Sequence, residues 1–468
     1  MIERISWPEL FEDKPPSPFL RGQQERPLGV TFHTSTLAAL PEQEIEALEA
    51  LTELAYLSEV RALQTEAGTF PHIEIGDFEA MIDHIPVKVT YADGSTAETG
   101  TLFSPKDLAK IAAELVHEAD LEHPNTRVML NDLVTAQAHC ALGQDMLVTS
   151  SPRLLANRNE FCVREANPRK PTEAAKIVGL LLRSRGNYTY RAGGEGRLTS
   201  CFDRGLFYWV FVRDKLPGMW RYFSACVESA KTRSDDILDL SQSILRRCVR
   251  AVQARDAIGQ EFYCPHDNNV RDTMMYHFDY LTLLLTGALD AEARVARRAY
   301  SVIIKERYAS FRNPKYLQAL EHSAPQLYRL MSGERSRDVM TLLYTLRNTI
   351  HGPGLPPVAY STGITEPEES RASVPTPYQD DLWRAAERRG SAERWGLTRW
   401  SDDRMFFEPY TYSLVLVDEC FSMIDAVATA TDVDMLFPKG YPIPALMSTP
   451  PDDERFGRQI RKRLAILA

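Results

Sequence analysis

No stretch of this sequence reaches the roughly 18 consecutive apolar residues of a membrane-spanning helix, and no charged-then-apolar leader opens it. Cysteine is scarce and scattered. The seven residues (Cys140, Cys162, Cys201, Cys226, Cys248, Cys264, Cys420) are odd in number and contain no C-x-x-C pair, which excludes a disulfide framework and a zinc knuckle. The expectation is a reduced, cytoplasmic protein with no membrane partner. The glycine-rich stretch Arg191-Ala192-Gly193-Gly194-Glu195-Gly196 lacks the G-K-[S/T] ending of a phosphate-binding loop, so it does not read as a nucleotide cradle. No cofactor and no metal are expected.

What is present suits a globular chain of two or three domains. It has 468 residues, 44% apolar and 25% charged, enough to bury substantial cores. The net charge of −10 is unevenly spread. Residues 1–150 hold 9 Lys and Arg against 25 Asp and Glu, whereas residues 151–350 hold 32 against 21. An acidic front joined to a basic middle assigns any polyanion to the middle, or else the asymmetry is only a solvated surface.

The front alternates strand and helix. Leu28 to Phe32 reads as a strand ending in His33-Thr34-Ser35-Thr36, and Pro41 to Glu66 as one long helix. The segment from Phe70 to Leu102 reads as strands and turns, with a hairpin at Ala92-Asp93-Gly94. Helices at Pro105 to Glu118 and Leu130 to Leu142 precede a strand at Asp145 to Thr149. This is an α/β domain with parallel pairing, placed at 1–195. Thr172 to Arg185 is a helix, and beyond it Tyr188 and Tyr190 interleave with Arg185 and Arg191. That pattern suits a stacking surface for single-stranded RNA, or ordinary packing of two tyrosines at a helix exit.

The glycine-rich stretch marks a boundary, and residues 196–435 read as nearly all helix. Asp235 to Ile258 is amphipathic, with Arg246, Arg247, Arg250 and Arg255 on its outer face. Asn269 to Arg307 is helical with an interruption near Gly287 and a restart at Asp290; it contains Arg271 and His277. A Pro- and Gly-rich insertion follows residue 351 through Thr376 and continues, polar, to Asp403; such long loops are functional or disordered. Pro409 to Ala430 resumes as helix. Residues 436–468 read as an extended segment with a basic tail, Arg455 to Arg463.

One stretch carries chemistry. Val339, Leu342, Leu343, Leu346 and Ile350 fall at the spacing of one apolar helix face, and Gly352-Pro353 stops that helix. Arg347 and His351 are therefore i and i+4 on one flank near its C-terminal end. The helix dipole raises the imidazole's proton affinity and the guanidinium lowers it, so the charge of His351 stays open. An imidazole able to move a proton beside a guanidinium able to hold phosphate charge suits metal-free cleavage of a phosphodiester. The plain alternative is a capping arginine and a helix-ending histidine.

The words Leu346-Arg347-Asn348-Thr349-Ile350-His351-Gly352, at the end of an amphipathic helix in a helical C-terminal half, resemble the signature of HEPN domains. The resemblance implies a small helical bundle acting as a metal-independent endoribonuclease of toxin or phage-defence type, with an isologous homodimer bringing two motifs together. It would assign phosphate stabilisation to Arg347, orientation to Asn348 and proton transfer to His351. Three residues separate Arg347 from His351 here, against roughly four to six in the family. Arg271 and His277 fit the formal spacing and are secondary candidates.

In the front, Asp132 to His139, Gly143 and Met146 to Ser151 are similar to the helix-then-strand stretch of PIN-like nucleases, with Gly29 to Phe32 as the opening strand. Such enzymes gather carboxylates around a divalent cation. Asp132 is kept, but His33 and Ser151 stand where further acids are expected, so the front reads as a degenerate domain that folds without cutting. The competing class is then a non-catalytic RNA- or protein-binding scaffold built from degenerate nuclease domains.

Overall fold

The computed structural model describes residues 26–76, 83–91, 93–118, 120, 122–192, 198–201, 203–231, 236–264, 268–350, 352, 354–360, 369–401 and 404–437. At 189–192, 198–201, 268, 357–360 and 369–370 it describes the backbone alone. The chain forms two compact units divided between residues 202 and 203.

The first unit runs β1 (Leu28–Phe32), α1 (Glu42–Leu54), β2 (Val60–Gln64), β3 (His72–Ile75), β4 (Pro86–Thr90), β5 (Thr96–Gly100), α2 (Pro105–Leu115), α3 (Pro124–Ala141), β6 (Met146–Val148), α4 (Pro152–Ala156), α5 (Phe161–Arg164), β7 (Pro168–Arg169), α6 (Pro171–Ser184), β8 (Thr189–Ala192) and β9 (Leu198–Cys201). Seven strands form one sheet in the order β5-β4-β3-β2-β1-β6-β7. The stretch from β3 to β7 is parallel, and β4 and β5 extend it antiparallel. Each residue of β1 is buried, as a central parallel strand covered on both faces requires. Met129, Leu133 and Ala136 of α3 pack with Ile85, Leu108, Leu147 and Val163 into the main core. Each fully buried aliphatic side chain there contributes about 1.5–3 kcal/mol.

Two expectations for this unit are corrected. The helix from Pro41 to Glu66 stops at Leu54, because Val60–Gln64 pairs residue for residue with β1, from Leu28 with Val60 to Phe32 with Gln64. Sheet pairing of a short apolar run outweighs the helix propensity of its Ala, Leu and Arg. The glycine-rich stretch expected as a boundary joins β8 to β9, which pair antiparallel. The hairpin near Asp93 does form: Gly94 takes φ 79, and Asp93 accepts hydrogen bonds from the Ser95 amide and hydroxyl at 2.9 and 2.6 Å.

The second unit runs α7 (Arg204–Lys215), α8 (Pro217–Ser229), α9 (Ile237–Phe262), α10 (Asn268–Ala299), α11 (Pro314–Ser323), α12 (Pro325–Ser332), α13 (Glu334–Thr349), β10 (Pro357–Tyr360), β11 (Glu369–Val374), α14 (Thr376–Arg388), β12 (Leu397–Ser401), β13 (Arg404–Phe407) and α15 (Pro409–Ala430). Helix α10 packs against α9, α13 and α15, and α13 also touches α12 and α14. Ile244, Leu245, Cys248 and Val252 of α9 and Phe278, Leu281 and Leu285 of α10 are buried, together with Leu416, Cys420, Ile424 and Val427 of α15. The mainly helical expectation holds in outline, and no helix among the described residues is long and apolar enough to cross a membrane.

Three details differ. The insertion after residue 351 contains a four-stranded antiparallel sheet, β10-β11-β13-β12, with α14 beside β13. Its anchor is aromatic: Trp395 and Phe407 meet Tyr412 of α15 in tilted and edge-on contacts at 5.2 and 5.3 Å, and Tyr412 donates to the Leu342 carbonyl of α13 at 3.0 Å. Helix α10 runs unbroken through Gly287 to Ala299, since neighbouring helices cover it, and ends where Ser301 turns to φ 49. Arg255 is buried and paired with Asp256 at 3.0 Å rather than exposed. The basic tail lies outside the described residues.

Glu292 of α10 has no solvent exposure, and neither carboxyl oxygen meets a hydrogen-bond partner among the described residues. Burial, with Asp425 nearby, pushes its pKa well above the carboxylate range. A raised acid pKa favours the fold below the unfolded value and loses that advantage as pH rises. Glu292→Gln is expected to raise the urea midpoint at neutral pH by roughly 1–3 kcal/mol, with the gain shrinking toward pH about 4; an unchanged or lower midpoint at neutral pH contradicts a neutral, unpartnered Glu292.

Candidate functional site

Two places hold the residues singled out by sequence, one in each unit. In the first unit the chain leaves β1 toward α1 and β2 on one side and returns at β6 on the other, so the strand order reverses between β1 and β6. The carboxyl ends of these two strands form the position at which parallel sheets of this winding bind ligands. Here His33, Asp132 and Ser151 converge.

The His33 amide donates to the Val148 carbonyl at 2.9 Å, prolonging the β1–β6 ladder by one residue. Its Nδ1 lies 3.2 Å from the Thr149 hydroxyl, which is 3.1 Å from the Thr36 hydroxyl. Across from them Ser151 donates to the Asp132 carboxylate at 2.6 Å and accepts the Leu154 amide at 3.3 Å, capping α4. His33, Asp132, Thr149 and Ser151 are each less than a tenth exposed. Burial lowers the pKa of His33, and the carboxylates of Asp132 and Glu66 only partly oppose this.

This geometry limits the chemistry. The Ser151 hydroxyl donates to Asp132 and not to an imidazole, so the pair is not the Ser–His arrangement of an activated serine. Among the described residues no group of three or more His, Cys, Asp or Glu side chains is arranged to hold a metal ion. These hydrogen bonds link the end of β1, α3, the end of β6 and α4.

In the second unit, α13 buries Val339, Leu342, Leu343 and Leu346 and leaves Arg347 and Asn348 half-buried in its last turn. Arg347 Nε is enclosed yet meets no acceptor among the described residues, and its Nη1 reaches only Asn348 Oδ1, at 3.4 Å. Other arginines of this unit are paired with acids: Arg388 with Asp338, and Arg335, Arg389 and Arg394 with Glu419. The helix closes with the Gly352 and Gly354 amides on the Thr349 carbonyl, both at 2.9 Å, and Gly354 adopts φ 72. His351 lies outside the described residues.

The remaining candidates do not gather at either place. Arg271 and His277 both sit on unbroken α10, where six residues amount to about 240° of rotation, so they do not share a face. His277 meets the Tyr276 ring edge-on at 5.4 Å. Arg185 donates to the Arg26 carbonyl at 2.6 Å and Tyr188 is buried, so neither offers a free stacking surface. Tyr190 and Arg191 lie on β8, with side chains outside the described residues. The sequence reading passed over Arg294 and Arg312, which lie outside any motif and become neighbours of other groups only through helix packing.

No protein-family model, curated protein or solved structure matches this chain.

A second buried imidazole, His139 of α3, has neither ring nitrogen hydrogen-bonded among the described residues, and burial pushes its pKa down to about 3. Between the ordinary histidine pKa and that value the unfolded chain takes up a proton that the folded chain refuses, so stability falls as pH falls, by about 1.4 kcal/mol per pH unit. His139→Leu is expected to lessen the loss of urea resistance between about pH 6.5 and 5 by that order. An acid slope identical to that of the parent chain rules this origin out.

Proposed function

We propose that the second unit cleaves RNA phosphodiesters without a metal ion. One observation carries the reading: the Arg347 guanidinium, half-enclosed at the end of α13, has an unsatisfied Nε and no carboxylate partner among the described residues. An enclosed donor without an acceptor costs on the order of 1–3 kcal/mol, which an anionic ligand offsets. A phosphate oxygen is the acceptor that a planar guanidinium suits best. In this reading Arg347 holds the charge that grows on the phosphoryl oxygens, Asn348 orients it, and His351 transfers the proton between the attacking 2′-hydroxyl and the leaving oxygen. The likeness to HEPN ribonucleases extends the proposal to a cytoplasmic homodimer of toxin or phage-defence type.

A second reading, a non-catalytic RNA- or protein-binding scaffold built from degenerate nuclease domains, is supported by the Ser151 hydroxyl donating to Asp132 and by the lack, among the described residues, of three His, Cys, Asp or Glu side chains arranged to hold a metal ion. The three-residue spacing between Arg347 and His351 favours it too.

Labelled RNA incubated with the purified chain in EDTA separates the two. Cleavage is expected, and Arg347→Ala or His351→Ala is expected to reduce its rate by about 100-fold or more while leaving the urea midpoint unchanged. Cleavage retained in both variants refutes the assignment; binding without cleavage by the parent chain selects the scaffold.

A further inference from the structure

A group of arginines on α9, α10 and the loop before α11 lacks the acids that accompany arginines elsewhere in this unit. Arg247 of α9 lies flat on α10 at Gly287, where a side-chain carbon would stand 2.8 Å from its Nε. Glycine at 287 is thus what lets the guanidinium approach. Its only hydrogen-bond partner among the described residues is the Ser243 hydroxyl one turn earlier on α9. Burial and the nearby charges of Arg294 and Arg250 lower its proton affinity, and the carboxylate of Asp290 only partly opposes them. Arg312 stacks over the Tyr344 ring at 4.4 Å. Among the described residues none of these four arginines is within ion-pair distance of a carboxylate. Asp290, whose charge reaches Arg247, is held by the hydroxyls of Ser310 and Tyr344 at 3.2 and 3.4 Å.

Helical register extends this patch. Tyr276, Tyr280, Leu283, Gly287, Asp290 and Arg294 recur every three or four residues and form one stripe on α10. Tyr276 is 69% exposed and Tyr280 38%. From Tyr280 to Arg294 the stripe is about 20 Å long, room for a short run of nucleotides. Four arginines gathered around the one carboxylate of Asp290 keep an excess of positive charge, and a chain of phosphates relieves that cost while exposed phenol rings accept unpaired bases.

We propose that this stripe is a binding track for single-stranded RNA, with Arg247, Arg250, Arg294 and Arg312 on the phosphates and Tyr276 and Tyr280 under the bases. It rests on the reading of the second unit as RNA-handling, but not on cleavage. A folded duplex or an acidic peptide would use the arginines and leave the tyrosines idle.

The test is binding of a fluorescent oligouridylate of about a dozen nucleotides to the full chain in EDTA across a salt series. Arg247→Gln with Arg294→Gln is expected to weaken binding by at least tenfold and to reduce the slope of log affinity against log salt by about 1.4. Arg250→Gln with Arg312→Gln, at two exposed positions, is expected to act in the same direction, losing only the surface contact of Arg312 with the Tyr344 ring. Tyr276→Ala with Tyr280→Ala is expected to weaken binding with the slope unchanged. Unaltered affinity and slope in both arginine pairs overturns the proposal, as does duplex RNA or oligoglutamate bound as tightly as oligouridylate with the tyrosine pair neutral. Loss of binding in the arginine pairs, in a chain that cuts no RNA, leaves the track standing and removes the nuclease reading alone.

Discussion

The second unit depends on burial of α10 between its neighbours. A helix of 32 residues, with apolar side chains directed at α9, α13 and α15, fixes where each of those helices begins and which way its remaining side chains face. Close packing of large and small residues allows little sliding, so the side chains left outside are held in fixed register. The solvent-facing stripe of α10 and the last turn of α13 are by-products of this one packing solution. Their arginines are spaced by helix geometry and not by loops.

The first unit is organised by a different constraint. A parallel sheet must be covered on both faces, and its winding outward from β1 and back to β6 leaves a notch at the carboxyl ends of those strands. In this chain the notch is filled from within by hydroxyls, one imidazole and one carboxylate that bond to each other. A network of that kind holds its side chains in fixed places. It also explains why the fold keeps polar residues in so apolar a location: Thr149 and Ser151 satisfy backbone amides as well as side chains.

Much of this was legible in the sequence, for reasons specific to each element. Val339 to Leu346 and Leu416 to Val427 repeat at helical spacing because one face of each helix is buried, and the period survives any detail of packing. His33, Asp132 and Ser151 were singled out together by a likeness of words, and they meet because His33 and Ser151 follow neighbouring parallel strands while α3 brings Asp132 across. Strand β2 was not legible: Val60 to Gln64 has the composition of a helix, and only its pairing with β1 makes it a strand. The sheet from β10 to β13 was hidden in a polar, Pro-rich stretch whose structure rests on distant aromatic contacts with α15. Arg294 and Arg312 escaped notice because closeness to Tyr344 and Arg247 is a property of three packed helices and of no local word.

The margins of the seven-stranded sheet bear on how copies of the chain can meet. One margin is β7, only two residues long, and the other is β5, where Thr96, Ala97 and Glu98 face solvent. A two-residue rim offers too few amides to template another strand, and a polar, charged rim disfavours dry stacking. Growth of this sheet by lateral accretion is therefore blocked at one border and discouraged at the other.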